Sequence, residues 1–134
     1  MNKNIMKRLK HYPFTLLLVA AVWYLSLFTP PKTQLDDVQF IDKWAHLLMY
    51  GSLTFVLWWE DSRTRKTLTT WKRAALLFLC PVAMGGLVEL AQAYCTTNRS
   101  GDWLDFAANA TGCLIGLGIG RAIEHLKKGR QHPR

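Results

Sequence analysis

The chain has 134 residues, enough for one domain, of which half are apolar and only 19% are charged. The apolar residues form four long blocks between short charged segments, a pattern typical of an integral membrane protein and not of a soluble one. The net charge of +8 lies in the charged segments, so it indicates membrane topology and anionic-lipid contact rather than nucleic-acid binding. Cys80, Cys95 and Cys113 lack CxxC or zinc-site spacing, and we interpret them as small buried hydrophobic residues.

The first apolar block predicts a membrane helix over residues 13–28. It follows the basic segment 1–11, which has no acidic residue, and Pro13 suits the first turn of a helix. A cleaved signal peptide is the alternative, because it also has a basic start before an apolar run. No small-x-small cleavage site follows the block, so we expect the helix to be uncleaved.

The second apolar block, residues 44–59, has a tryptophan at each end, as expected of a helix anchored at both membrane interfaces. The charged segment 32–43 before it fits either a short interfacial helix or a loop. The third block, residues 74–94, contains Pro81 and two adjacent glycines, which predict a kink or a local opening of the helix.

The fourth block, residues 103–123, completes the predicted fold: one all-helical domain, residues 1–134, forming an antiparallel bundle of four transmembrane helices. Four spans put both termini on one side of the membrane. All but three of the 17 Lys and Arg residues lie on that side, the exceptions being Lys32, Lys43 and Arg99. The positive-inside rule therefore predicts that both termini are cytoplasmic.

Polar residues are concentrated at the predicted outer ends of the last three helices. They are Asp42, Lys43, His46 and Tyr50 in the second helix, Glu89 and Gln92 in the third, Arg99 in the loop, and Asp102, Asp105 and Asn109 at the start of the fourth. Spacings of three or four residues put the members from each helix on one face. Ionisable residues inside a membrane are costly and are hypotheses for a functional site. The inner halves have no comparable residues, so we predict an outward-opening pocket and no transport path.

Each of these residues also has a structural explanation. Asp102 and Asp42 fit helix N-caps, with Asp105 three residues after Asp102. Lys43 and Arg99 fit side chains that extend to lipid headgroups. The remaining explanations are packing for Tyr50 and a polar core joining the helices for His46, Glu89, Asp105 and Asn109.

Three glycines at intervals of four, Gly112, Gly116 and Gly120, form a GxxxGxxxG stripe. Such a stripe lets another helix approach closely. The other helix belongs either to the same chain or to a homo-oligomer or membrane partner.

The chemistry available to this pocket is limited. His46 and Glu89 suit proton exchange and, with Asp105, are the candidate catalytic residues. Lys43 and Arg99 suit an anionic group. A metal site of His46, Glu89 and Asp105 is conceivable, but without an HExxH or CxxC motif we expect no metal and no cofactor. The expected ligand-binding residues are Lys43, Tyr50, Gln92, Arg99, Asp102 and Asn109.

The chain resembles the VanZ-like family in three motifs within residues 40–120. They are DKxxHxxxY from Asp42, ExxQ from Glu89, and RxxDxxDxxxNxxG from Arg99. The resemblance implies a small bacterial inner-membrane protein of the cell envelope, linked in some members to glycopeptide (teicoplanin) tolerance. It implies no particular reaction.

We therefore expect a protein that binds, and in one version modifies, a lipid-linked or anionic envelope molecule at the outer leaflet. The alternative is a non-enzymatic membrane module whose polar residues set helix packing or a partner interface.

Overall fold

The computed structural model describes residues 2–28, 34–64, 68–97 and 101–131, and these ranges contain helices but no strand. The helices are α1 (Lys3–Leu9), α2 (Pro13–Leu27), α3 (Ile41–Arg63), α4 (Thr70–Cys95) and α5 (Trp103–Gln131), with a short 3-10 helix at Gln34–Asp37. The prediction of an all-helical protein is confirmed.

Three helices of the structure are longer than the apolar blocks from which they were predicted. The helices expected at 44–59, 74–94 and 103–123 extend to Ile41–Arg63, Thr70–Cys95 and Trp103–Gln131. A boundary assigned from hydropathy falls where the first charged residues appear. The backbone hydrogen bonds of the helix continue through those residues. The basic N-terminal segment also contains α1, which the sequence analysis did not predict, and α4 continues through Pro81 without the expected local opening.

Helices α2 to α5 pack together with alternating directions. Thr15 near the start of α2 contacts Glu60 near the end of α3, so these helices are antiparallel. Lys43 and Asp105 meet at the starts of α3 and α5, which are therefore parallel. Glu89, near the end of α4, lies beside the start of α5. The segments leading to the two termini consequently lie at the same end of the molecule.

Helix α3 is central, since it packs against α2, α4 and α5. Its buried residues contribute to both hydrophobic clusters of the core. The first contains Val22, Tyr50, Leu53 and Cys113, and the second contains Trp58, Ala74, Leu77 and Leu117.

The glycine stripe of α5 packs against α3 of the same chain. A Cβ atom on Gly112 or Gly116 would overlap the backbone carbonyl of Leu47 or Gly51, respectively. A Cβ atom on Gly120 would lie 2.8 Å from the Trp58 ring. In this structure the stripe therefore makes a contact within the chain.

Two of the described helices, α4 and α5, are long and apolar enough to cross a membrane, and α2 is a shorter apolar helix. Large apolar side chains on α4 are exposed, among them Leu79 at 59% and Leu87 at 58%. Cys113 is buried as expected, but Cys80 and Cys95 are exposed, so that prediction was wrong for two of the three cysteines. An apolar residue in a membrane helix faces lipid as readily as protein, and composition does not distinguish the two.

Candidate functional site

Three helices bring six polar residues together at one end of the molecule. This group, the His46 cluster, consists of Lys43 and His46 from α3, Glu89 from α4, Asp102 immediately before α5, and Asp105 and Asn109 from α5. The sequence analysis expected these residues to converge, and the structure places them in contact.

The His46 imidazole lies at the centre of the cluster and is 3% exposed. Its Nδ1 is 2.8 Å from Asn109 Oδ1 and 3.7 Å from Glu89 Oε1. Its Nε2 is 3.9 Å from Asp105 Oδ2. The Asn109 amide nitrogen donates to Glu89 Oε1 at 3.4 Å, which directs the amide oxygen towards His46. Nδ1 therefore donates its N–H to the Asn109 oxygen, and Nε2 is the ring nitrogen that faces Asp105.

Lys43 and Asp102 form the exposed edge of the cluster. Lys43 Nζ lies 3.1 Å from Asp102 Oδ2 and 3.0 Å from Asp105 Oδ1. Asp102 also accepts a hydrogen bond from the Leu104 backbone N–H, which is the capping role expected of it. That hydrogen bond and the Lys43 ammonium lower the pKa of Asp102 below its usual value. Lys43 is thus engaged with carboxylates of the chain itself.

Glu89 connects the loop before α5 to α4. Its Oε2 accepts a hydrogen bond from the Asp102 backbone N–H at 3.1 Å. Gly101 approaches the same helix so closely that a Cβ atom would lie 2.6 Å from the Glu89 carbonyl oxygen. One carboxylate therefore fixes the loop and also contacts the buried centre of the cluster.

The other expected ligand-binding residues have different surroundings. Gln92 donates to the Ser26 carbonyl at 2.7 Å and so joins α4 to the end of α2. Tyr50 is fully buried, and its hydroxyl has no hydrogen-bond partner among the described residues. Arg99 lies outside the described residues. The expected cap Asp42 is in the first turn of α3, and Phe40 occupies the N-cap position instead.

A second buried polar group lies at the opposite end and corrects the expectation that the inner halves lack such residues. This Arg73 cluster consists of Tyr12, Glu60, Asp61, Arg73 and Glu124. The Glu60 carboxylate is buried and accepts hydrogen bonds from the backbone N–H groups of Phe14 and Thr15, both at 2.9 Å. Arg73 pairs with Asp61 and Glu124 and stacks on Trp58.

By hydropathy alone, Glu60 to Arg73 form one of the short charged segments between apolar blocks, which favours a charged connector there. The helices continue into this segment and bury Glu60 and Arg73, whereas Arg63 and Lys72 stay exposed. The signal that could have revealed this is the continuation of helical spacing beyond Trp59.

A groove of about 500 Å³ runs along the surface between α4 and α5 and reaches the His46 cluster. Glu89 and Asp102 contribute its carboxylates, and most of its remaining lining is apolar. The lining consists of Ala83, Gly86, Leu87, Glu89, Leu90, Ala93, Tyr94, Gly101, Asp102, Trp103 and Phe106. We refer to it as the α4–α5 groove.

Comparison with protein families gives one finding that bears on identity. The family model described as VanZ/LLP1 matches residues 2–124, which include the whole His46 cluster and the groove. Comparisons with curated proteins and with solved structures gave no match.

Proposed function

The chain belongs to the VanZ-like family, and from this premise we propose that it binds a lipid-linked envelope molecule at the outer leaflet of the bacterial cytoplasmic membrane. Family membership fits an envelope protein linked to glycopeptide resistance, and with the two apolar helices it suggests a membrane protein. The ligand, the leaflet and any reaction are our proposal.

In the proposed topology α2, α3, α4 and α5 each span the membrane and both termini are cytoplasmic. The 23 residues of α3 give a length of about 34 Å, close to the roughly 30 Å hydrocarbon core. Helix α2 has 15 residues, and its apolar composition supports its assignment as a span. The arrangement puts the His46 cluster at the outer surface and the Arg73 cluster at the inner surface.

The α4–α5 groove is the observation that carries the proposal. Its apolar walls suit a hydrocarbon chain, and its volume lies within the usual range for ligand sites. Glu89 belongs both to the groove and to the His46 cluster. A lipid lying in the groove would thus bring its polar head to Glu89 and Asp102.

An anionic head would compete with groups that already hold Lys43. Those groups are the carboxylates of Asp102 and Asp105. The Asp102 side chain is the more exposed, at 41%, so the head would displace it from Lys43 more easily. Arg99 is the second proposed head contact. If the ligand is also modified, His46 and Glu89 are the residues proposed to give protons to it and take protons from it.

Native mass spectrometry of the protein, gently extracted from its own membrane, tests this proposal. We expect the wild type to retain a lipid-linked envelope intermediate. Ala83→Phe fills the groove and should abolish retention, as should Glu89→Gln at the polar end. Cys80→Phe is the matched control, because Cys80 is an exposed small residue of the same helix outside the groove lining. Retention of bulk phospholipid alone by the wild type would contradict the proposal.

A non-enzymatic packing module is the second candidate, and the contacts that members of the His46 cluster make within the chain favour it. Lys43, His46 and Asn109 each already contact partners within the chain. If packing is their whole role, Glu89→Gln should lower thermal stability while lipid retention matches that of the wild type.

A further inference from the structure

The three ionisable residues at the centre of the His46 cluster have the separations of metal ligands. One ligand atom each from His46, Glu89 and Asp105 can be chosen so that all lie within 4.8 Å of one another, and all three residues are buried. A zinc ion with bonds of about 2.0–2.2 Å holds its ligand atoms roughly 3–4 Å apart. The 3.9 Å between His46 Nε2 and Asp105 Oδ2 fits this range, and the Glu89 carboxylate would close on the ion from a separation of at most 4.8 Å.

The partners of these residues orient them as the outer shell of a metal site does. Asn109 accepts from His46 Nδ1, so Nε2 is the ring nitrogen that points away from the amide and towards Asp105. Lys43 binds Asp105 Oδ1 and leaves Oδ2 facing the imidazole. Metal-bound histidines commonly donate their other ring N–H to an oxygen acceptor, which fixes the tautomer.

The charge of the cluster also calls for a cation. Glu89, Asp102 and Asp105 supply three carboxylates, whereas Lys43 supplies one positive charge. A buried carboxylate is costly unless a cation or hydrogen-bond donors lie beside it. A divalent ion held by Glu89 and Asp105 would add positive charge where these carboxylates meet His46.

Tyr50 provides an independent indication. It lies one helical turn after His46, and its hydroxyl is fully buried with no hydrogen-bond partner among the described residues. Its ring and the Asn109 amide adjoin at Gly85, where a Cβ atom would lie 3.2 Å from each. A buried hydroxyl normally has a partner, and a metal-bound water would supply one.

We infer that His46, Glu89 and Asp105 form a binding site for a divalent transition-metal ion such as Zn²⁺ or Mn²⁺. One imidazole and two carboxylates suit either ion and leave a coordination position for water. The sequence analysis expected no metal, because ligands from three separate helices produce no short motif. The inference does not depend on the lipid proposal, since metal is measured on the purified protein.

The test uses the full chain in detergent, stripped with a chelator and reloaded with Zn²⁺ or Mn²⁺. We expect about one tightly held ion per chain by elemental mass spectrometry, and a higher melting temperature with the ion than without it. Both effects should be lost in His46→Ala and Asp105→Asn. They should persist in His125→Ala and Asp37→Asn, which change exposed residues of the same types.

Two further measurements do not depend on those variants folding. Wild-type protein loaded with Co²⁺ should show the visible absorption of a protein-bound ion, displaced by Zn²⁺. Asn109→Leu should weaken metal affinity by about 10–100-fold, as loss of an outer-shell partner does. A wild-type protein that binds no ion, or His46→Ala and Asp105→Asn variants that bind as tightly as the wild type, would overturn the inference.

Discussion

The Asn109 side chain determines how His46 presents its ring to the rest of the cluster. It accepts from Nδ1 and donates to Glu89, so one amide orients both the imidazole ring and a carboxylate of another helix. Such shared polar contacts are more costly to disrupt than isolated ones, because each loss leaves a buried group unpaired. The same contacts therefore suit either a binding site or a rigid helix junction.

Asp102 both pairs with Lys43 and caps α5. The substitution Asp102→Asn removes the ion pair but keeps a good helix cap, so it measures the contribution of the ion pair alone. The pKa of Asp102 lies below its ordinary 3.8, so its ionised form stabilises the fold above that pH and the contribution is lost as pH falls through the lowered pKa. We expect Asp102→Asn to melt below the wild type at neutral pH, with a difference that shrinks below about pH 4. Melting curves in detergent across pH, with Asp37→Asn as control, measure this. A pH-independent difference would contradict it.

Residue spacing predicted which side chains of the His46 cluster share a helix face. Asp105 and Asn109 are separated by four residues, and the structure places both against His46. Spacing within one helix cannot reveal pairing between helices. The engagement of Lys43 by two carboxylates and the absence of a partner for the Tyr50 hydroxyl among the described residues depend on tertiary packing.

Close contact holds α3 and α5 together, and these two helices supply most of the His46 cluster. Gly51 of α3 faces the stripe, and a Cβ atom there would lie 3.2 Å from the Gly112 carbonyl oxygen. Backbones that approach this closely gain dispersion contacts that larger side chains would prevent. The position of His46 relative to Asn109 thus depends on the stripe one turn below it.

Gly116→Leu should destabilise the protein, because the new side chain meets the α3 backbone and cannot move aside. We expect a loss of about 1–3 kcal/mol or failure to fold. Gly118→Leu is the matched control, since no atom lies within 4 Å of a Cβ atom there and the residue is exposed. Chemical denaturation in mixed micelles compares the two variants. Equal stabilities would show that the stripe is not closely packed.

Element type was predictable from hydropathy, whereas the helix ends were not. The first apolar block and α2 both begin at Pro13, because proline fixes that position. The end of α3 was missed because Glu60 and Asp61 looked like a solvent-exposed connector. In the folded chain Glu60 satisfies backbone donors at the start of α2, a role that requires the α2–α3 contact.

The whole molecule has a buried polar cluster at each end and an apolar exterior between them. The apolar exterior and the length of α4 and α5 are what lipid contact requires. The Arg73 cluster has ion pairs and a helix cap that account for its members, whereas the His46 cluster adjoins the α4–α5 groove. This difference makes the His46 end the functional end in our account.

The proposed function requires the His46 end to face the outer side of the membrane. Cys95 is exposed at that end, Cys80 lies farther along α4 towards the Arg73 end, and Cys113 is buried. A membrane-impermeant thiol reagent applied to intact spheroplasts reports the side directly, with Cys95→Ser as the control. We predict labelling of the wild type without permeabilisation and its loss in Cys95→Ser. Labelling of Cys95 only after permeabilisation would place the cluster in the cytoplasm and contradict a ligand from the outer leaflet.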